Sequence, residues 1–140
     1  MNILPALATT SDALAAEKTR LDVIGQNIAN AHTTRGPDGN VYQRRVVTFE
    51  AQLRQAIGID GGSLVSGPRV AAITTDATPG EAVFKPSHPH ADAEGMVRMP
   101  NVNLSHEMVD LITASRSYEA NLSVVRTARQ MAQRALQMGR

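Results

Sequence analysis

The chain has 140 residues and a formal net charge of +1, so bulk electrostatics point neither to nucleic acid nor to an acidic lipid surface. It contains no cysteine, which excludes disulfides and thiolate metal sites. Tyr42, Phe49, Phe84 and Tyr118 are its only aromatic residues. Large aromatics supply much of the buried area in most cores. A chain this short and this poor in them is expected to build one modest core and to take much of its burial from other subunits.

The first thirty-one residues read as a helical segment. Leu7, Leu14, Leu21 and Ile28 recur at seven-residue intervals, with Ala6, Ala13 and Ile24 flanking the column. Pro5 is tolerated only at or before the first turn. Thr10, Ser11 and Asp12 offer a cap, so the firm helix is expected to start there. The stripe is narrow and rich in small residues, and such a helix needs a docking partner. Residues 1–10 carry no basic residue ahead of their short apolar patch, and no apolar run is long enough to span a bilayer. The expectation is a protein that stays inside the cell or leaves without a cleaved secretory signal.

After Asn30 the composition shifts. Gly36-Pro37-Asp38-Gly39-Asn40 is a turn signature. Tyr42 to Phe49 reads as a strand from its β-branched and aromatic content. Residues 51–57 are expected to form a short helix, and Gly58 to Gly67 a loop or hairpin. Pro68 to Thr75 and Ala82 to Phe84 are further strands. Pro79, Pro86, Pro89 and Pro100 forbid any long regular element between residues 79 and 101.

The last segment dominates the pattern. From Leu104 to about Met138 there is neither Gly nor Pro. One heptad column runs Leu104, Leu111, Tyr118, Val125, Ala132, and the expected partner column runs Met108, Ser115, Leu122, Arg129, Leu136. At 1.5 Å per residue this helix is about 50 Å long, more than a small globular core can cover. Asn103 or Ser105 is positioned to cap it, and Gly139 to stop it. Glu107 and Asp110 lie near its positive end, and Arg126, Arg129 and Arg134 towards its negative end, the favourable arrangement for the helix dipole.

Motifs that could carry chemistry are weak. His106-Glu107-Met108-Val109-Asp110 approaches the zinc-hydrolase helix motif, but Asp110 stands where the second His is needed and no third ligand is evident. Ser87-His88-Pro89-His90-Ala91-Asp92-Ala93-Glu94-Gly95 gathers ligand-type side chains. Read as a calcium loop from His90, it lacks the first Asp and has Asn101 where the bidentate Glu belongs. The arginines of the last helix alternate with acidic residues and have no interleaved aromatics, unlike a nucleic-acid face. Asn103-Leu104-Ser105 and Asn121-Leu122-Ser123 fit the glycosylation pattern inside an expected helix, where they are read as coincidence. No phosphate-binding glycine loop or nucleophile elbow is present. The expectation is a non-enzymatic protein with no catalytic residues, cofactor or metal. A metal-dependent hydrolase using His88, His90, Asp92 or His106, and a cytoplasmic coiled-coil adaptor, are the alternatives.

Several runs resemble those of bacterial flagellar rod and hook proteins. They are Leu21-Asp22-Val23-Ile24-Gly25-Gln26-Asn27-Ile28-Ala29-Asn30-Ala31-His32-Thr33-Thr34 at one end, and Asn101-Val102-Asn103-Leu104, Glu107-Met108-Val109-Asp110 and Ser115-Arg116-Ser117-Tyr118-Glu119-Ala120-Asn121 at the other. Within that family, Gly39-Asn40-Val41-Tyr42-Gln43-Arg44-Arg45, Pro86-Ser87-His88-Pro89-His90-Ala91-Asp92 and Gly95-Met96-Val97-Arg98-Met99-Pro100 are similar to the FlgC-type proximal rod proteins. His106 departs from the pattern, which usually has a carboxylate or small polar residue there.

The resemblance implies an α+β fold. Residues 1–31 and 101–140 would form a helical axial domain, and residues 32–100 a β-containing outer insert. It implies a structural subunit of the periplasm-spanning rod that transmits motor torque and leaves the cytoplasm through the flagellar type III export apparatus. Its partners would be copies of itself, neighbouring rod proteins and that apparatus, with no nucleic acid and no membrane insertion. Leu14, Leu21, Ile28, Leu104, Met108, Leu111, Tyr118, Leu122 and Val125 are the expected subunit contacts.

Overall fold

A computed structural model describes residues 3–55 and 64–138, with side chains for 7–51 and 67–138. Two long helices flank a β-containing middle, so the fold is α+β. Helix α1 spans Ile3–Ala29, and helix α2 spans Leu104–Met138. Between them lie β1 (Arg45–Gln55), β2 (Leu64–Thr75), β3 (Ala82–Phe84) and β4 (Met96–Arg98). The expected bounds of α2 hold, while the expected stop at Gly139 lies outside the described residues. Helix α1 begins before the Thr10–Asp12 cap, and Pro5 falls in its first turn, where its missing N–H would be unpaired anyway.

Capping chemistry fixes both inner helix ends. The Asn103 Oδ1 accepts a hydrogen bond from the His106 amide at 3.1 Å, so Asn103 rather than Ser105 caps α2. At the end of α1 the Asn30 side chain donates back to the Gln26 carbonyl at 2.9 Å, and the Thr33 hydroxyl donates to Asn30 Oδ1 at 3.1 Å. The Gln26 carbonyl also accepts the Asn30 amide at 3.1 Å, so the side-chain bonds reinforce the last turn and lead the chain into the 33–40 turn. That turn closes with Gly39 at φ 80°, a left-handed conformation suited to glycine.

Strands β1 and β2 pair antiparallel from Arg45↔Thr75 to Gln55↔Leu64, with a register shift between Thr48 and Phe49 where Ala71 is the extra residue. The short helix expected at 51–57 is not formed. Residues 51–55 continue β1, because each finds a ladder partner in β2, and residues 56–57 lie outside the described residues. Local propensity loses to non-local pairing here. Pro68 sits inside β2 opposite Ala51; in a two-stranded sheet each strand has a free edge, where a missing donor is tolerated. Strands β3 and β4 form a second antiparallel pair, Ala82↔Arg98 to Phe84↔Met96.

Helix α1 is the shared element. It packs against α2 on one side and against both β1 and β2 on another, while among the described residues β1 and β2 make no packing contact with α2. Its buried residues are accordingly Ala16, Val23, Ile24 and Asn27, between its two neighbours. The Leu14, Leu21 and Ile28 column is half-buried beside them. Hydrogen-bonded or ion-paired positions run in opposite order along the helices, Asn27 with Glu107 and Arg20 with Asp110, so α1 and α2 are antiparallel.

The covered stripe of α2 overlaps the expected one only in part. Glu107 and Ala114 are buried, and Leu111, Tyr118, Asn121, Val125 and Ala128 are half-buried. These positions alternate in steps of four and three, as a heptad seam requires. Leu111, Tyr118 and Val125 of the first expected column are therefore part of the seam, whereas Leu104 and Ala132 are exposed, and the deepest positions, 107 and 114, fall outside both expected columns. In the second expected column Met108, Arg129 and Leu136 are exposed, while Ser115 and Leu122 are half-buried.

Candidate functional site

The inner ends of the two helices meet the root of the hairpin in a buried polar junction. Asn27 is 1% exposed and Glu107 0%, two of the three most completely buried large side chains among the described residues. Buried polar groups are stable only when bonded. Asn27 uses its full capacity: Nδ2 donates to the Arg45 carbonyl at 2.9 Å and to Glu107 Oε2 at 3.0 Å. Its Oδ1 accepts from the Tyr42 hydroxyl and from the Arg45 amide, both at 2.9 Å. One side-chain amide thus offers two donors and two acceptor sites, and all four are filled.

Glu107 is equally committed. Its Oε1 accepts from Arg44 Nε, a charge-assisted bond, while Oε2 takes the Asn27 donor. Arg44 also approaches Asp110 at 3.5 Å, and Asp110 in turn lies 3.8 Å from Arg20 of α1. The main chain of the hairpin root is held as well. Asn101 Oδ1 accepts from the Arg44 amide at 2.7 Å, Asn101 Nδ2 donates to the Asp76 carbonyl at 3.0 Å, and the Asp76 amide donates to the Arg44 carbonyl at 2.8 Å. Burial of the Tyr42 hydroxyl raises its pKa above the ordinary 10.0; nearby Arg45 acts in the opposite direction, and Glu107 adds to the rise.

This arrangement explains the apparent hydrolase motif. Glu107 faces inward to Arg44 and Asn27, His106 is exposed, and Asp110 is paired with arginines. Among the described residues no three His, Asp or Glu side chains converge on a metal-sized site. The 87–95 segment is a closed turn between β3 and β4. Asp92 Oδ1 accepts from the Glu94 amide at 3.0 Å and the Met96 amide at 2.7 Å, and Gly95 takes φ 76°. His90 Nδ1 lies 2.8 Å from the Thr34 hydroxyl, tying that turn to the end of the first helical segment. Desolvation lowers the His90 pKa, and neighbouring Arg35 and His88 lower it further.

The other feature is an uncovered apolar side. Met108, Val109, Ile112, Val124, Met131 and Leu136 of α2 are all exposed, and from Arg129 onward every described position of α2 is exposed. Of the nine expected contact residues, Leu14, Leu21, Ile28, Leu111, Tyr118, Leu122 and Val125 are half-buried within the single chain, whereas Leu104 and Met108 are exposed. Sequence reasoning assigned Glu107 and Asp110 to the helix dipole and to an incomplete zinc motif, and did not join them to Asn27 or Arg44. The available signal was phase: a carboxylate at 107 falls on the same stripe as Leu111, Ala114 and Tyr118, where only a satisfied charge is stable. Among the described residues no helix is long and apolar enough to cross a membrane.

Over 139 residues, 99% of both chains, the sequence is 40% identical to the flagellar basal-body rod protein FlgC of Yersinia enterocolitica. The chain belongs to the FlgC family of flagellar basal-body rod proteins. It is 37% identical to FlgC of Salmonella typhimurium over 99% of both chains, and 34% identical to FlgC of Bacillus subtilis over the full length of both. Residues 7–37 match the flagella basal body rod protein family, and residues 93–138 match the flagellar basal body rod FlgEFG protein C-terminal family. The two matched stretches contain Asn27 and Glu107, respectively. Members of the FlgC family are structural rod proteins of the flagellar basal body, not enzymes.

Proposed function

We propose that this chain polymerises through its two terminal helices into the inner wall of the rod. Residues 1–31 and 101–140 would serve as the axial domain, and residues 32–100 as the outward insert. In this reading the rod carries motor torque across the periplasm, and each subunit arrives through the flagellar type III apparatus. The partners are further copies and neighbouring rod proteins.

One observation carries the reading. Met131 is 62% exposed and Leu136 76%, on a stretch of α2 whose described positions from Arg129 onward are all exposed. Extended apolar surface of this kind marks an interaction site. Leu14, Leu21, Ile28, Leu104, Met108, Leu111, Tyr118, Leu122 and Val125 supply the remaining contacts, each with surface left over after α1 and α2 pair.

Leu122→Asp tests the seam, because it places an unpaired charge in it at a cost of several kcal/mol. Met131→Asp is the cleaner variant, since Met131 is exposed in the single chain. Both are expected to abolish motility and to be missing from purified hook–basal bodies. Normal swimming of both strains would refute the seam. Absence of the unsubstituted chain from those particles would favour a soluble adaptor instead.

A further inference from the structure

We propose that Asn27 is a positioning residue that locks the hairpin to the helix pair and sets the angle between them. The apolar contact of the hairpin with α1 cannot do this by itself. It combines small groups, Ala16 and Gly67, where an added Cβ would lie 2.9 Å from Asp12 Oδ2, with the buried Val23 and Ile24 of α1 facing the partly exposed Val46, Val47 and Phe49 of β1. Apolar packing has no directional preference, so a ribbon seated on such a surface can slide or swing. Hydrogen bonds are directional.

The only side chain among the described residues that bonds at once to the hairpin root, the preceding segment and α2 is that of Asn27. It pins both main-chain groups of Arg45, the first residue of β1, and so fixes the phase of the ladder against α1. Through Glu107 and Arg44 the same network reaches α2, against which β1 and β2 do not pack among the described residues. The second strand is tied in by Asn101 and Asp76. The lock belongs to the single folded chain. If the rod reading holds, it is also the route by which load on the outer insert reaches the helices.

The absence of native cysteine permits a clean distance measurement. Spin labels on Glu50→Cys and Gln130→Cys, both exposed positions on β1 and α2, report the hairpin-to-helix distance in the full chain by pulsed electron resonance. The unsubstituted junction should give one narrow distribution. Asn27→Asp removes both donors and sets a carboxylate against Glu107, and should widen the distribution about twofold with helical circular dichroism retained. Combining it with Glu107→Gln exchanges the amide and the carboxylate across the 27–107 bond. The double variant should recover most of the original width, a coupling that independent sites do not show.

An unchanged width in Asn27→Asp, a double variant as broad as the sum of the singles, or a broad distribution in the unsubstituted chain would each overturn the lock. Should Asn27→Asp lose its helices, Tyr42→Phe is read instead, since it removes one bond to Asn27 Oδ1. It should broaden the distribution measurably, and no broadening overturns the proposal. These readings come from one free chain, so they can fail while the Met131→Asp test succeeds, or the reverse.

Discussion

Asn27 and Glu107 stand 80 positions apart in the chain and share a buried hydrogen bond of 3.0 Å. The bond joins the two segments that the family matches cover, and it exists only when α1 and α2 are paired. Glu107→Ala should therefore be among the most damaging single changes. It strips Arg44 Nε of its acceptor and leaves an Asn27 donor facing a cavity. Arg44 retains some solvent and Asp110, so the loss is expected at about 3 kcal/mol. Urea unfolding of the free chain checks it; a midpoint close to that of the unsubstituted protein would show that the pair is not what holds the junction.

The two sides of α2 should respond in opposite ways. Ala114 is fully buried, and Ala114→Leu adds volume where α1 has no room, at about 1–3 kcal/mol in chain stability. Met108 is 49% exposed, so Met108→Lys should leave the chain within about 0.5 kcal/mol of its original stability. On the proposed function Met108→Lys nevertheless blocks incorporation into the rod. Thermal melts of the purified variants, set beside their recovery in basal bodies, separate stability from assembly.

Glycine substitutions give a second contrast. Gly25 lies inside α1, and a methyl group added there would meet nothing within 4 Å. Gly25→Ala should stabilise the chain by about 0.5–1 kcal/mol through the lower entropy of its unfolded state. A Cβ on Gly80 would fall 1.8 Å from the Met99 carbonyl oxygen, an overlap that only backbone movement can relieve. Gly80→Ala should lower the melting temperature and Gly25→Ala should raise it. Equal shifts would contradict the close passage of these two strands of chain.

Alkaline pH tests the burial of Tyr42. Its pKa is raised above the usual 10.0 in the folded chain, chiefly by burial, so the folded state favours the neutral phenol. The contribution is complete below pH 10 and is lost as pH rises through the higher folded value. Denaturation midpoints measured from pH 8 upward should fall more steeply above pH 10 for the unsubstituted chain than for Tyr42→Phe. Parallel profiles would mean that the hydroxyl is not desolvated at the junction.

Much of the architecture was readable because it rests on local rules. An uninterrupted run from Leu104 to Met138 with heptad spacing can only be a long helix, and Asn103 has the side chain to cap it. The prolines between residues 79 and 101 limit that stretch to short strands and turns. The continuation of β1 through residues 51–55 was not readable, because its warrant is a set of partners in β2 on the far side of the hairpin loop. The junction was hidden for the same reason. Glu107 looks like an ordinary acidic residue in a first turn until Arg44 and Asn27 arrive from other parts of the chain.

The sequence by itself determined the two terminal helices, the β-containing middle and the likeness to flagellar rod proteins, since periodicity, breakers and caps act over a few residues. Tertiary structure decided which column of α2 is covered, where the hairpin leans, and that a carboxylate and an amide occupy the most buried positions at the helix ends. A heptad pattern leaves adjacent columns nearly equivalent. The choice between them depends on the shape and hydrogen-bonding groups of whatever packs against the helix, and that is known only once the distant segments have met.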